Sequence, residues 1–302
     1  MKKRINNVIR KNWQIYLMFL PAAVLLFIFC YVPMYGIVLA FKEYSPVLGI
    51  MGSEWVGLEH FKTLFSDSYF LKVLLNTVRI SLLKFAAGFP VPIILALLLN
   101  EVRHNSFKRT VQTLSYLPYF ISWVVVSGIL INICSIDGGV INRFIEWMGF
   151  GPVNFFGNGR AFLALIVISD IWKGAGWGTI IYFAAISGIN PELYEAALID
   201  GANRYRRIRH ITLPSLVPAI SINLIFSCSS LLSGGFDQIF NLYNPIVYDV
   251  ADIIDTYIFR IGISDGNYGV STALGLFNSV VSVVLILSVN KIIQKLGGEG
   301  IW

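Results

Sequence analysis

Residues 190–202 read Asn190-Pro191-Glu192-Leu193-Tyr194-Glu195-Ala196-Ala197-Leu198-Ile199-Asp200-Gly201-Ala202, and the stretch continues to Ile211-Thr212-Leu213-Pro214. It is a polar island in an apolar chain. Asn190 suits a helix N-cap, Pro191 the first helical position, and Glu192 the positive end of the helix, while Gly201 can leave it in a left-handed conformation. The spacing predicts a short helix from about Pro191 to Asp200, roughly ten residues and so too short to persist alone in water. Something must pack against it. Leu193, Ala196, Ala197 and the aliphatic part of Asp200 fall at i, i+3, i+4 and i+7, a small apolar stripe that suits the chain's own body or a lipid surface.

Outward from that island, the chain of 302 residues is 56% hydrophobic and only 13% charged, with a mean hydropathy of +0.70. A soluble domain cannot be that apolar and keep a wettable surface, so the expected class is an all-α polytopic membrane protein. The net charge of +6 does not indicate nucleic acid, because Lys and Arg are spread among short loops rather than gathered on one face. Cys30, Cys134 and Cys228 sit in apolar runs without CxxC spacing and read as small core residues. Met1-Lys2-Lys3-Arg4 resembles a basic leader. The apolar run behind it is too long for a signal peptide and reads as a retained first span.

Six segments are long enough to cross about 30 Å of hydrocarbon, at roughly 14–40, 73–99, 114–134, 161–186, 215–235 and 272–290. A tail of residues 1–13 precedes them, and a loop over 187–214 joins the fourth to the fifth. Basic residues fix the orientation: Lys2, Lys3, Arg4, Arg10 and Lys11 before span one, Arg103, Lys108 and Arg109 after span two, Arg204, Arg206, Arg207 and Arg209 after span four, Lys291 and Lys295 after span six. All fall on one side, so both termini and the 187–214 loop are expected in the cytoplasm of a multi-pass protein. Pro21 and Pro33 predict a kinked first span. Residues 57–65, with Phe61, Leu64 and Phe65 on one face, predict an external interfacial helix. The long outer segment 236–271 predicts a short helix near 251–262.

Inside the spans the polar residues are few. Arg79 reads as snorkelling to the interface, whereas Lys84 either does the same or borders a polar path. The pair Pro90 and Pro92 predicts a broken helix. Asp170 and Lys173 stand at i and i+3, close enough to pair. Gly174, Gly176 and Gly178 predict close helix approach. Trp172 and Trp177 suit stacking on a sugar or packing at an interface. Asn223 and Asn278 suit interhelical hydrogen bonds or a translocation path.

Several chemistries have no motif. HExxH, GxSxG, the P-loop and the dinucleotide fingerprint are absent, so no catalytic residue, metal ligand or cofactor is assigned to this chain. His60, His104 and His210 are dispersed over loops on both sides of the membrane.

The pattern Glu195-Ala196-Ala197-x-x-x-Gly201, followed by Ile211-x-Leu213-Pro214, resembles the EAA loop of permease subunits from binding-protein-dependent ABC importers. The fuller string from Tyr194 to Ala202, with Pro218, is similar to the carbohydrate-uptake branch. Leu117-Pro118-Tyr119-Phe120-Ile121-Ser122-Trp123 and the run from Pro92 to Glu101 resemble its subgroup for complex oligosaccharides and polysaccharide fragments.

The resemblance implies a type I importer permease of six transmembrane helices in the bacterial plasma membrane. Its EAA coupling helix docks on a cytoplasmic ATPase subunit. Glu195 meets a basic group there, Ala196 and Ala197 allow close approach, Gly201 makes the turn, and Leu193, Asp200 and Ile208 complete the contact. Ile208 stands where many carbohydrate permeases carry Phe. The implied partners are a second, homologous permease, two ATPase subunits that bind ATP and Mg, and an extracellular solute-binding protein. A permease of the same architecture for a non-sugar solute, a partner-free secondary carrier and an intramembrane enzyme are the alternatives.

Overall fold

The computed structural model describes residues 11–229 and 232–295. Lys2, Lys3, Arg4 and Arg10, and so most of the expected tail, lie outside them. Five helical segments among the described residues are long and apolar enough to cross a membrane: Trp13–Phe41, Ser68–Asn100, Gly159–Ser187, Arg204–Cys228 and Tyr268–Lys295. A bent pair of helices, Asn105–Phe120 with Trp123–Ile133, makes a sixth crossing when taken as one span. The chain divides into two compact units, Met1–Leu64 with Ile261–Leu276 and Phe65–Arg260 with Phe277–Trp302.

In the first unit, the α-helix Trp13–Leu26 passes into a π turn at Phe27–Tyr31 and a 3-10 segment at Val32–Phe41. Pro33 has no N–H to give the ladder, which is why the pitch changes there. A two-stranded antiparallel ladder follows, Lys42 opposite Trp55 and Glu43 opposite Glu54. His60, buried on the helix Glu59–Ser66, meets the Lys42 carbonyl through Nε2 at 3.0 Å. The backbone of Gly269 comes so close that a Cβ there would lie 2.3 Å from that nitrogen. His60 therefore belongs to packing.

The second unit is built on the helices Ser68–Gly88 and Gly159–Ser187. Ile80, Phe162, Leu163 and Ile166 from these two pack with Ile239, Leu242, Val247, Ala251 and Ile253 of the segment that follows the fifth crossing. A second cluster joins Ala96, Tyr182, Ile186 and Leu216. At Pro90 the second crossing is interrupted for a single residue, Phe89, whose backbone stays helical, so the expected break is a local loss of hydrogen bonds rather than a change of direction.

The third crossing departs from expectation. In place of one helix over 114–134 the chain forms Asn105–Tyr116, a 3-10 turn Leu117–Phe120 and a second helix Trp123–Ile133, and the direction changes by 101°. Pro118 starts the break, and Ser122 restarts the helix by accepting from the Val125 N–H at 3.4 Å. The fifth crossing also differs from 215–235. It begins at Arg204, and beyond its C-terminal end comes a turn in which Gly234 and Gly235 both have positive φ, which an L side chain adopts only with strain.

Gly176 faces the first half of the bent crossing, where a Cβ would stand 1.9 Å from the Ser115 carbonyl oxygen. Gly176→Ala is expected to push the two helices apart at a cost of about 1–3 kcal/mol. A lowered melting temperature in detergent checks it. An unchanged value means that the contact carries no load.

Polar contacts fasten the segment 245–260 onto the Ser68–Gly88 helix. Tyr69 donates to the buried Asp252 at 2.7 Å, Asn76 donates to the Asp249 carbonyl at 3.1 Å, the Ile254 N–H donates to Thr77 at 2.9 Å, and Lys72 pairs with Asp249. Arg260 closes the network on Asp252, with its guanidinium 4.9 Å from the Tyr248 ring centre. The short helix here is Ile254–Phe259.

Burial pushes the Asp255 carboxyl on that helix from its usual 3.8 up to about 6. The folded chain then holds a proton that the unfolded chain has already lost, so stability falls as pH rises from about 4 through 6 and levels off above. Asp255→Asn is expected to abolish that slope. Melting curves of both proteins across this range measure it, and parallel curves refute it.

Candidate functional site

The stretch at 190–214 folds as a capped, outward-facing helix. Asn190 accepts from the Glu192 N–H at 3.1 Å, Pro191 opens the helix Pro191–Ile199, and the far end closes in a Schellman arrangement. There the Ala202 N–H donates to the Ala197 carbonyl at 2.8 Å and the Gly201 N–H to Leu198 at 3.1 Å, with Gly201 at φ +75°. Asn203 caps the next turn, Arg204–Arg207, which runs through a π turn at Ile208–Thr212 into the helix Leu213–Ser229.

The face turned inward is not the expected stripe. Tyr194 and Ala197 are the half-buried positions, and the Tyr194 hydroxyl lies 2.9 Å from that of buried Thr212. Leu193, Glu195, Ala196 and Asp200 point outward, as do Leu198 and Ile199, the last 87% exposed. Ala197 is thus removed from the outward set, because the Tyr194–Thr212 contact fixes the rotation of the helix. Ile208 is half-buried in the chain's own body. Glu101, at the end of the second crossing, lies 3.8 Å from Arg204.

A second feature is a cavity of about 360 Å3 among the crossings, bordered by Ser81, Lys84, Asp170, Gly174, Tyr182 and Asn223. That is within the size range of small-solute sites. Asp170 does not pair with Lys173 as i, i+3 spacing suggested. It lies 3.6 Å from the Lys84 ammonium across the helix interface. Lys84 also donates to the Gly234 carbonyl at 2.9 Å and to Gln238 at 2.5 Å, and Gln238 in turn donates to Ser169 at 2.8 Å. A Cβ on Gly235 would sit 2.6 Å from the Lys84 nitrogen, so glycine at 235 leaves the room that the ammonium takes. The Ser81 hydroxyl, buried beside the cavity, has no hydrogen-bond partner among the described residues.

Of the candidate path residues, Lys84, Asp170 and Asn223 border this cavity. Asn223 donates to Ala219 of its own helix at 3.0 Å instead of bridging to a neighbour. Lys173, Trp172, Trp177 and Asn278 do not border it. Lys173 is buried and donates to the carbonyls of Pro118, Tyr119 and Ile121 at 3.2, 2.7 and 2.5 Å, capping the bend of the third crossing. Trp177 stacks on Tyr119, ring centres 4.7 Å apart and planes within 4°. Trp172 is half-exposed. Asn278 reaches Asp255 at 3.4 Å. Ser81 and Gln238 carried no spacing signal in the sequence, since one hydroxyl and one amide in apolar runs have no period.

Several apolar crossings and a polar cavity between them define a membrane transport component. A family model described as binding-protein-dependent transport system inner membrane component matches residues 88–297, and the chain belongs to that family. It is 45% identical over 301 residues, covering 100% of this chain and 94% of the relative, to the polygalacturonan/rhamnogalacturonan transport system permease protein YteP of Bacillus subtilis. The sn-glycerol-3-phosphate transport system permease protein UgpA of Salmonella typhimurium is 32% identical over 224 residues, 73% of this chain and 75% of that one. Among solved structures, a chain of the bacterial alginate ABC transporter, in complex with an alginate pentasaccharide-bound periplasmic protein, matches with a TM-score of 0.90 at 40% identity, covering 99% of this chain and 100% of that one. The chain is therefore a membrane-embedded permease subunit of an ABC importer.

Proposed function

We propose that this permease carries oligosaccharides into the cytoplasm, passing them along a path bordered by Lys84, Asp170 and Asn223. The observation that carries the solute class is 45% identity over 301 residues to a permease named for polygalacturonan and rhamnogalacturonan, supported by the likeness to an alginate importer. Leu193, Glu195, Ala196, Asp200 and Gly201 engage a cytoplasmic ATPase subunit, Ala197 supports that helix from beneath, and Ile208 anchors its base. Two such ATPases bind ATP and Mg, a second permease of the same family completes the path, and an extracellular binding protein delivers the solute. Both termini lie in the cytoplasm, where the basic loops gather. When the ATPases close on ATP, a capped helix seated in them moves with them, and the differential binding of ATP to the two states drives alternating access.

The test is uptake of labelled galacturonate and alginate oligosaccharides, and of sn-glycerol 3-phosphate, in cells with and without this chain. Loss of oligosaccharide uptake on deletion supports the reading. Loss of glycerol phosphate uptake alone favours the second reading, a phosphorylated solute, which the 32% identity to UgpA motivates.

A further inference from the structure

We propose that the helix Val140–Trp147 is a lipid-interface anchor, with Val140, Phe144 and Trp147 seated at the boundary between headgroups and acyl chains. These three fall at i, i+4 and i+7, one stripe of a helix. They are 67%, 56% and 80% exposed, respectively, and the Phe144 and Trp147 rings stack with centres 5.7 Å apart. The opposite face is fixed. Buried Asn142 donates to the carbonyls of Ser135 at 2.9 Å and Val153 at 3.1 Å and accepts from the Val153 N–H at 2.8 Å. The chain on both sides of the helix is thus fastened to one side chain, and the apolar stripe is held outward by a rigid mount.

Lipid is the occupant these observations favour. The helix joins the end of one crossing, Ile133, to the start of the next, Gly159, so connectivity places it at a membrane surface. It packs on the half-crossing Trp123–Ile133, whose Val124 and Val125 are themselves exposed as a lipid-facing surface would be. Exposed Arg143 flanks the stripe, and a long cation beside tryptophan suits phosphate headgroups over an apolar boundary. The eight-residue length gives about 12 Å, enough to lie flat in the interface and too short to cross it.

The experiment compares the transporter carrying wild-type chain or Trp147→Phe in proteoliposomes containing lipids brominated near the headgroup. The chain has seven tryptophans, and the wild-type-minus-variant emission isolates this one. The expected result is a difference emission that brominated lipid quenches more strongly than aqueous iodide. Stronger or equal quenching by iodide means that the ring stands in water, and protection from both quenchers means that protein covers it. Either outcome overturns the proposal.

Discussion

Lys173→Met is expected to deprive the membrane of most of its folded permease. The ammonium takes three carbonyls, those of Pro118, Tyr119 and Ile121, at the point where the third crossing bends by 101°. In hydrocarbon no water replaces a lost donor, so helix-breaking residues survive only where a neighbour satisfies the freed carbonyls. Charged hydrogen bonds contribute about 1.5–3 kcal/mol each and are not additive, so the loss of all three costs on the order of 3 kcal/mol or more. Met retains the stem's volume, which separates the cap from packing. Lys173→Gln, which keeps a donor, should fall between. The measurement is melting temperature and yield from membranes, and a Met variant that melts with the wild type disproves the capping role.

Glu195→Lys is expected to leave the fold intact and abolish most transport. The side chain is exposed, and surface changes of this kind usually move stability by no more than about 0.5 kcal/mol. At a docked surface, reversing one member of a charge pair costs about 2 kcal/mol or more, roughly thirty-fold in affinity. Uptake and co-purification of the ATPase should therefore fall together while the melting temperature holds. Gly201→Val gives the contrast. At φ +75° a β-branched residue is strained by about 1–3 kcal/mol, so this variant should lose stability as well as coupling. Normal uptake by the Glu195→Lys permease refutes the proposed contact.

The helix Pro191–Ile199 was readable in advance because its signals are local. Asn190, Pro191 and Gly201 act on their own neighbours, and the structure has the cap, the start and the turn where they stand. The rotation of that helix was not readable, because it is set by a hydroxyl contact across 18 residues, from Tyr194 to Thr212. The same limit explains Asp170. Spacing along one helix offered Lys173, while the partner it meets, Lys84, lies on another helix. Hydropathy located the third crossing, yet a window average is blind to direction. The bend needed both Pro118, visible in the sequence, and Lys173 arriving from 55 residues away.

The π turn at Ile208–Thr212 has a mechanical consequence. The helix Pro191–Ile199 meets the fourth crossing through Gly188–Asn190, next to a regular ladder, but it meets the fifth through Thr212, inside a widened turn. A widened turn absorbs a one-residue change of register without losing the ladder around it. Of the two struts below the helix one is stiff and the other compliant, so a push on it tilts the pair before it lifts them.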